Sequence, residues 1–248
     1  MKWRVIPVTE RTGAMNMALD EAVAEAVRAG ESAPTIRFYS WNPSCVSIGY
    51  FQSIEEEVNL PECEARGVDV VRRITGGGAV YHDRQGEITY SVIAPQEMFP
   101  AGIIDSYKAI CGLIIGGLSE LGVQAEFKPI NDIIAGGKKI SGNAQTRRGG
   151  VLQQHGTVLY DLDVATMFTV LKVTKEKISD KLIASVEERV TSLKKVCGAS
   201  REQCYGAMMN GFTAGKEWSQ GDFSPKEMER AVQLAKEKYS SREWNFQR

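Results

Sequence analysis

The chain has 248 residues, 43% of them hydrophobic and 25% charged, the balance of a globular domain with its own core. Lys and Arg total 30 against 31 Asp and Glu, so the basic excess that drives nucleic-acid binding by counterion release is missing. The longest apolar run, Ala109 to Leu118, is too short to span a bilayer, and the charged N-terminus lacks the apolar stretch of a secretory signal.

Five scattered cysteines, with no Cys-x-x-Cys pair, read as reduced thiols rather than a disulfide framework, which predicts a cytoplasmic protein. In chain order, apolar residues at helical spacing predict an amphipathic helix over Asn16–Arg28. After Pro34 short β-rich pieces follow: 35–39, 46–50, 69–73, 78–81 and 87–94, with a helix over 54–66 between them. Asp105–Leu121 reads as a second long helix. Strands are predicted at 123–127, 132–135, 138–146 and 151–160, with Gly136-Gly137 as a hairpin turn. From Val164 the pattern is helical, and Ser200-Arg-Glu-Gln203 and Ser224-Pro-Lys-Glu227 are capping boxes. The gaps are too short for many helical crossovers. The expected fold is therefore one α+β domain with a mainly antiparallel or mixed sheet, β-rich over about 35–160 and helical over 164–248.

Two segments carry chemistry. In Arg72-Arg-Ile-Thr-Gly-Gly-Gly-Ala-Val-Tyr-His-Asp83, a glycine triplet between strands bares backbone N–H groups, and two arginines stand beside it. Such a turn cradles a phosphate or carboxylate, and strand alternation aims only one arginine at it. In Asn131-Asp-Ile-Ile-Ala-Gly-Gly-Lys-Lys-Ile-Ser-Gly-Asn-Ala-Gln145, alternation puts Lys139, Ser141 and Asn143 on one strand face and Lys138 on the other. Neither segment is a dinucleotide fingerprint or a Walker loop. The two histidines, His82 and His155, have no Cys, Asp or Glu at metal-ligand spacing, and no Gly-x-Ser-x-Gly elbow is present.

These motifs resemble the lipoate–protein ligase A family of the biotin/lipoate ligase superfamily. The likeness runs almost end to end, through Asn16–Glu21, Arg37–Tyr39, Ser47–Gln52, Arg72–Asp83, Lys138–Gly142, Gln154–Thr157, Glu188–Thr191 and the Tyr239…Trp244-Asn245 ending. It implies ATP- and Mg2+-dependent activation of lipoate to lipoyl-AMP, followed by transfer to a lysine of a lipoyl-domain protein. The implied acceptors are 2-oxoacid dehydrogenase E2 subunits and the glycine cleavage H protein. By motif match Lys139 is catalytic. Arg72, Gly77, Gly78, Ala79 and His82 line the adenylate pocket, Asn131 and Ser141 lie at it, and Asp132 stands near the metal. His155 matches the His-Gly-Thr position, and Ile48 and Val80 are expected to wall an apolar tunnel. The family's accessory domain is not seen before Arg248, which implies a separate accessory subunit. Related octanoyl- or lipoyl-transferases work without ATP through a cysteine. No cysteine lies between Cys111 and Cys197, which favours the ligase over the transferase, and an intact Lys139 disfavours a non-catalytic lipoyl-binding protein, since binding alone does not require a charge aimed at the phosphate.

Overall fold

The computed structural model describes residues 1–172, 185 and 188–248. Its centre is an eight-stranded mixed sheet in the order β11-β1-β2-β6-β10-β9-β8-β7. The strands are β1 (Trp3–Arg11), β2 (Thr35–Trp41), β6 (Glu87–Pro95), β7 (Ala125–Lys128), β8 (Asp132–Ala135), β9 (Lys138–Arg148), β10 (Val151–Leu159) and β11 (Trp218–Gln220). A second, three-stranded sheet runs β4-β3-β5, from Asp69–Arg72, Cys45–Ile48 and Val80–His82. Hairpin neighbours β6 to β10 pair antiparallel, as the short gaps demand, and Gly136 and Gly137 both take positive φ in the β8–β9 turn. Parallel pairing enters at β1–β2, β1–β11 and β3–β4.

Helix α1 (Gly13–Arg28) crosses between β1 and β2, capped by the Thr12 hydroxyl, which accepts from Met15 N–H. It starts earlier than the apolar spacing predicts because the cap, not the periodicity, sets the first turn. Its inner face buries Met17, Leu19 and Val23, but also Asn16 and Asp20. Those two polar residues are inside because Arg37 of β2 lies beneath them, donating to the Asn16 carbonyl and side chain and to Asp20 at 2.8–2.9 Å. The opposite face of the sheet is covered by Ile103–Glu120 and Arg201–Thr213, whose Ile110, Ile114, Leu118, Met208 and Phe212 meet Phe38 and Tyr90. Strands β6 and β10 are thus covered on both faces and buried almost throughout.

The predicted helix over 54–66 is two short ones, Ile54–Glu57 and Leu60–Arg66. Val58 leaves the helix to bridge Leu171, and Pro61 restarts it from its first turn. Both predicted capping boxes form. The β-rich region is wider than 35–160, since β1 precedes it and β11 lies in the helical third. β11 has three exposed residues and exists through parallel pairing with β1, a contact no local pattern announces.

Arg72 is not a pocket residue. Its fully buried guanidinium donates to the carbonyls of Gly49, Tyr50 and Gln52 on one side and of Trp244 and Asn245 on the other, at 2.6–3.2 Å. Asn245 accepts the Arg72 N–H at 2.7 Å, and Trp244 Nε1 donates to the Arg72 carbonyl at 2.9 Å. The residue that looked like a ligand-binding cation is the clasp that docks the Trp-Asn ending. Replacing it by Met leaves several buried carbonyls unpaired. Arg72→Met is expected to cost about 3 kcal/mol and to lower the melting temperature by roughly 10 °C in calorimetry.

Candidate functional site

A cavity of about 320 Å3 opens where the small sheet meets β9 and β10 of the large one. This is near the lower end of the roughly 300–1,000 Å3 typical of small-molecule sites. Apolar wall is supplied by Val80, Leu159, Leu162, Met167 and Leu171. Polar groups converge from Arg73, the Gly77-Gly78 turn, Lys139 and the two histidines. Such a wall suits a ligand with an acyl tail and a polar, reactive head.

The glycine turn is held from below by Arg73. Its Nη2 donates to the Gly76 and Gly78 carbonyls at 2.9 and 2.7 Å, and its Nη1 to the Ser47 carbonyl at 3.0 Å. Alternation does select one arginine for this site, and it is Arg73. Burial lowers its pKa to about 10, so it keeps its charge at neutral pH. Gly49 permits the turn to sit where it does, because a Cβ there would lie 2.0 Å from the Gly77 carbonyl oxygen. A Cβ at Gly76 or Gly78 would meet nothing within 4 Å, so the turn's outer side faces open space.

Of the residues expected at the site, Gly77, Gly78, Ala79, His82, Asn131, Lys139 and His155 line the cavity. Lys139 pairs with Asp132 at 2.7 Å, and its backbone bonds Arg189 and Thr191 on either side. This seats the Glu188–Thr191 segment beside it. Asn131 and Asn143 exchange side-chain-to-carbonyl hydrogen bonds. Ser141 does not share the face of Lys139. An irregularity in the β8–β9 register between Ile133 and Ile134 breaks the alternation, and Ser141 lies opposite Ile133, fully buried, its hydroxyl without a hydrogen bond. Asp132 does not line the cavity; its carboxylate is taken by Lys139, and among the described residues no three His, Cys, Asp or Glu side chains gather around a metal. Ile48 likewise points away, into a cluster with Val46 and Ile54, while Val80 is in the wall.

Both histidines sit in buried relays. His155 Nε2 lies 2.8 Å from the Thr75 hydroxyl and Nδ1 3.3 Å from Asp20. Asp20 also accepts from Ser91, Gln153 and Arg37. Burial pushes the Asp20 carboxyl up, but Arg37 and His155 outweigh it and hold it below its ordinary value. His155 is lowered by burial, only partly offset by Asp20. His82 Nε2 lies 2.8 Å from the Ser47 hydroxyl and Nδ1 2.8 Å from Glu87, and its ring stacks on Trp41 at 4.0 Å. Sequence reasoning missed Arg73, Ser47, Asp20 and Glu87 as site partners, because their roles arise from contacts between strands distant in sequence.

No cysteine borders the cavity. Cys45, Cys63, Cys111 and Cys204 are buried. Burial raises the Cys45 thiol well above its ordinary value, Cys63 and Cys204 to about 11 and Cys111 to about 12.

Fold and site together define a catalytic domain of the lipoate-ligase type. The model of the "Lipoyl protein ligase A/B catalytic domain" matches residues 12–213, and the chain belongs to that family. An archaeal bi-partite lipoate protein ligase from Thermoplasma acidophilum superposes with a TM-score of 0.89 at 33% identity, covering 99% of this chain and 96% of its own. A lipoate-protein ligase A bound with ATP gives 0.86 at 31% identity, covering 99% of both chains. Among curated proteins, octanoyltransferases LipM of Symbiobacterium thermophilum and Kyrpidia tusciae are 35% and 37% identical over 99% of this chain and 98% and 99% of their own. These relatives overturn the expectation of an ATP-dependent lipoate ligase. The glycine-turn and Lys139 motifs that suggested it line the cavity, and lining alone does not fix how an acyl group is activated.

The relay through His155 makes stability depend on pH with a fixed sign. A histidine depressed below its ordinary 6.5 binds fewer protons folded than unfolded, so stability falls as pH drops below 6.5. Asp20, held below its ordinary 3.8, adds a further loss beneath that value. The melting temperature of the wild type is expected to decline from pH 7 to 5. In His155→Asn that upper part of the decline should flatten.

Proposed function

We propose that this chain transfers an octanoyl-type acyl group from an activated donor to a lysine of lipoyl-domain proteins, without ATP. The observation that carries the reading is the cavity with apolar wall and cationic cradle, in a chain matched along its full length by octanoyltransferases. Forming an amide from a free acid requires activation. Where ATP is not used, the donor must arrive activated, and a thioester is the chemical class that fits. The apolar wall would hold the alkyl chain. The Lys139 ammonium and the amides of the glycine turn would stabilise the oxyanion that forms when the carbonyl is attacked. Asp132 would keep Lys139 oriented. A lipoyl domain, whose reactive lysine must enter the cavity mouth, is the acceptor class that the relatives support.

Incubation with an octanoyl thioester and a lipoyl domain, without ATP, should add one octanoyl group to the domain by intact mass. Modification only from free octanoate or lipoate with MgATP would overturn the reading. In the same assay Lys139→Ala should lower the rate about 10²- to 10³-fold. Lys138→Ala should stay within a few-fold.

None of the thiols borders the cavity, so none is placed to carry the acyl group. Each single Cys→Ala variant that folds should keep transfer within a few-fold. Loss of turnover in any one of them would assign a thioester route instead.

A further inference from the structure

We infer that Ser47 is the nucleophile that carries the acyl group, as an ester, with His82 as its base and Glu87 as the group that orients His82. The inference rests on the acyl-transfer reading above and supplies what that reading lacks, a residue able to hold the acyl chain between donor and acceptor. Ser47 and His82 both border the cavity. The direction of each hydrogen bond follows from chemistry. Arg73 Nη1 donates to Ser47 Oγ at 3.0 Å, and the Glu87 carboxylate at Nδ1 can only accept, so Nδ1 carries the hydrogen of the neutral imidazole and Nε2 takes the Ser47 hydroxyl hydrogen at 2.8 Å. Nε2 is then the acceptor, and Nδ1–H donates to Glu87 at 2.8 Å. Glu87 also accepts from Trp41 Nε1 at 2.9 Å and from Thr89 Oγ1 at 2.7 Å, which fixes its carboxylate. Trp41 stacks on the imidazole with an interplanar angle of 17° and sets its plane. Nucleophile, base and orienter are thus joined as in serine acyltransferases, and the arginine beside Oγ favours the developing alkoxide.

The steps balance without redox chemistry. Ser47 Oγ bonds to the thioester carbonyl while its proton passes to His82 Nε2. The C–S bond then breaks, and the leaving thiolate takes that proton. The acceptor lysine's neutral amine attacks the ester, and its proton moves to Nε2. As the C–O bond breaks, Ser47 Oγ recovers it. The Thr75–His155–Asp20 relay has the same connectivity, yet Thr75, unlike the equally buried Ser47, does not border the cavity, so no acyl carbonyl can reach it.

The test uses the full chain with an octanoyl thioester and no acceptor, followed by intact mass and peptide mapping. One octanoyl group should appear on Ser47 and survive neutral hydroxylamine, as an oxygen ester does. Ser47→Ala should lose the adduct and slow transfer to a lipoyl domain at least 10³-fold, the scale seen on removing a triad nucleophile. Ser47→Cys should regain an adduct, now labile to neutral hydroxylamine, which shows that the fold and pocket are intact. Glu87→Gln, at a positioning residue, should lower the rate and shift its pH profile. If the wild type transfers from the thioester while Ser47→Ala does so equally, or while Ser47→Cys forms no adduct, the nucleophile assignment fails and acyl transfer stands. If the wild type does not transfer from the thioester, the acyl-transfer reading itself fails.

Discussion

The buried ion pair between Arg37 of β2 and Asp20 of α1 is the interaction on which the rest depends. Both side chains are essentially without solvent, and the contact is 2.8 Å. A buried pair is tolerated only when its remaining donors and acceptors are satisfied. Here the second carboxylate oxygen of Asp20 accepts from Ser91 of β6 and from Gln153 and His155 of β10. One carboxylate therefore ties the crossing helix to three neighbouring strands of the large sheet. Removing it would strand a guanidinium in the core and release the imidazole that borders the cavity.

A second division of labour concerns Arg72 and Arg73. Adjacent on the chain, they turn to opposite sides. Arg72 clasps the C-terminal Trp-Asn segment, and Arg73 braces the glycine turn from beneath. The turn is pinned by its carbonyls, which leaves its outer side to the cavity. The close approach of Gly49 completes the packing, and there a side chain would collide with backbone. Preorganisation of this kind matters for acyl transfer, because the donors must already point to where the oxyanion will form.

Lipoate ligases and octanoyltransferases both match this chain over nearly its whole length. What differs is how the carbonyl is activated and which atom holds it in transit. In this chain four of the five thiols are buried and none borders the cavity, while a serine hydroxyl hydrogen-bonded to His82 stands in the cavity wall. The absence of a cysteine near the Lys139 strand therefore does not decide the chemistry.

Local pattern determined much of the architecture. Helix caps, the Gly136-Gly137 turn and the β-rich middle are all legible from residue spacing. These features rest on backbone conformation and short-range hydrogen bonds, which neighbours in sequence control. Tertiary structure decided what spacing cannot express. It chose Arg73 over Arg72, because the C-terminal segment takes up the other guanidinium. It turned Ser141 away from Lys139, because a register irregularity in the β8–β9 pair cancels strict alternation. It joined Ser47 to Glu87 through His82 across two sheets, and it made β11 a strand by pairing it with β1. In each case the deciding contact links residues far apart in the chain, where period and propensity carry no information about the partner.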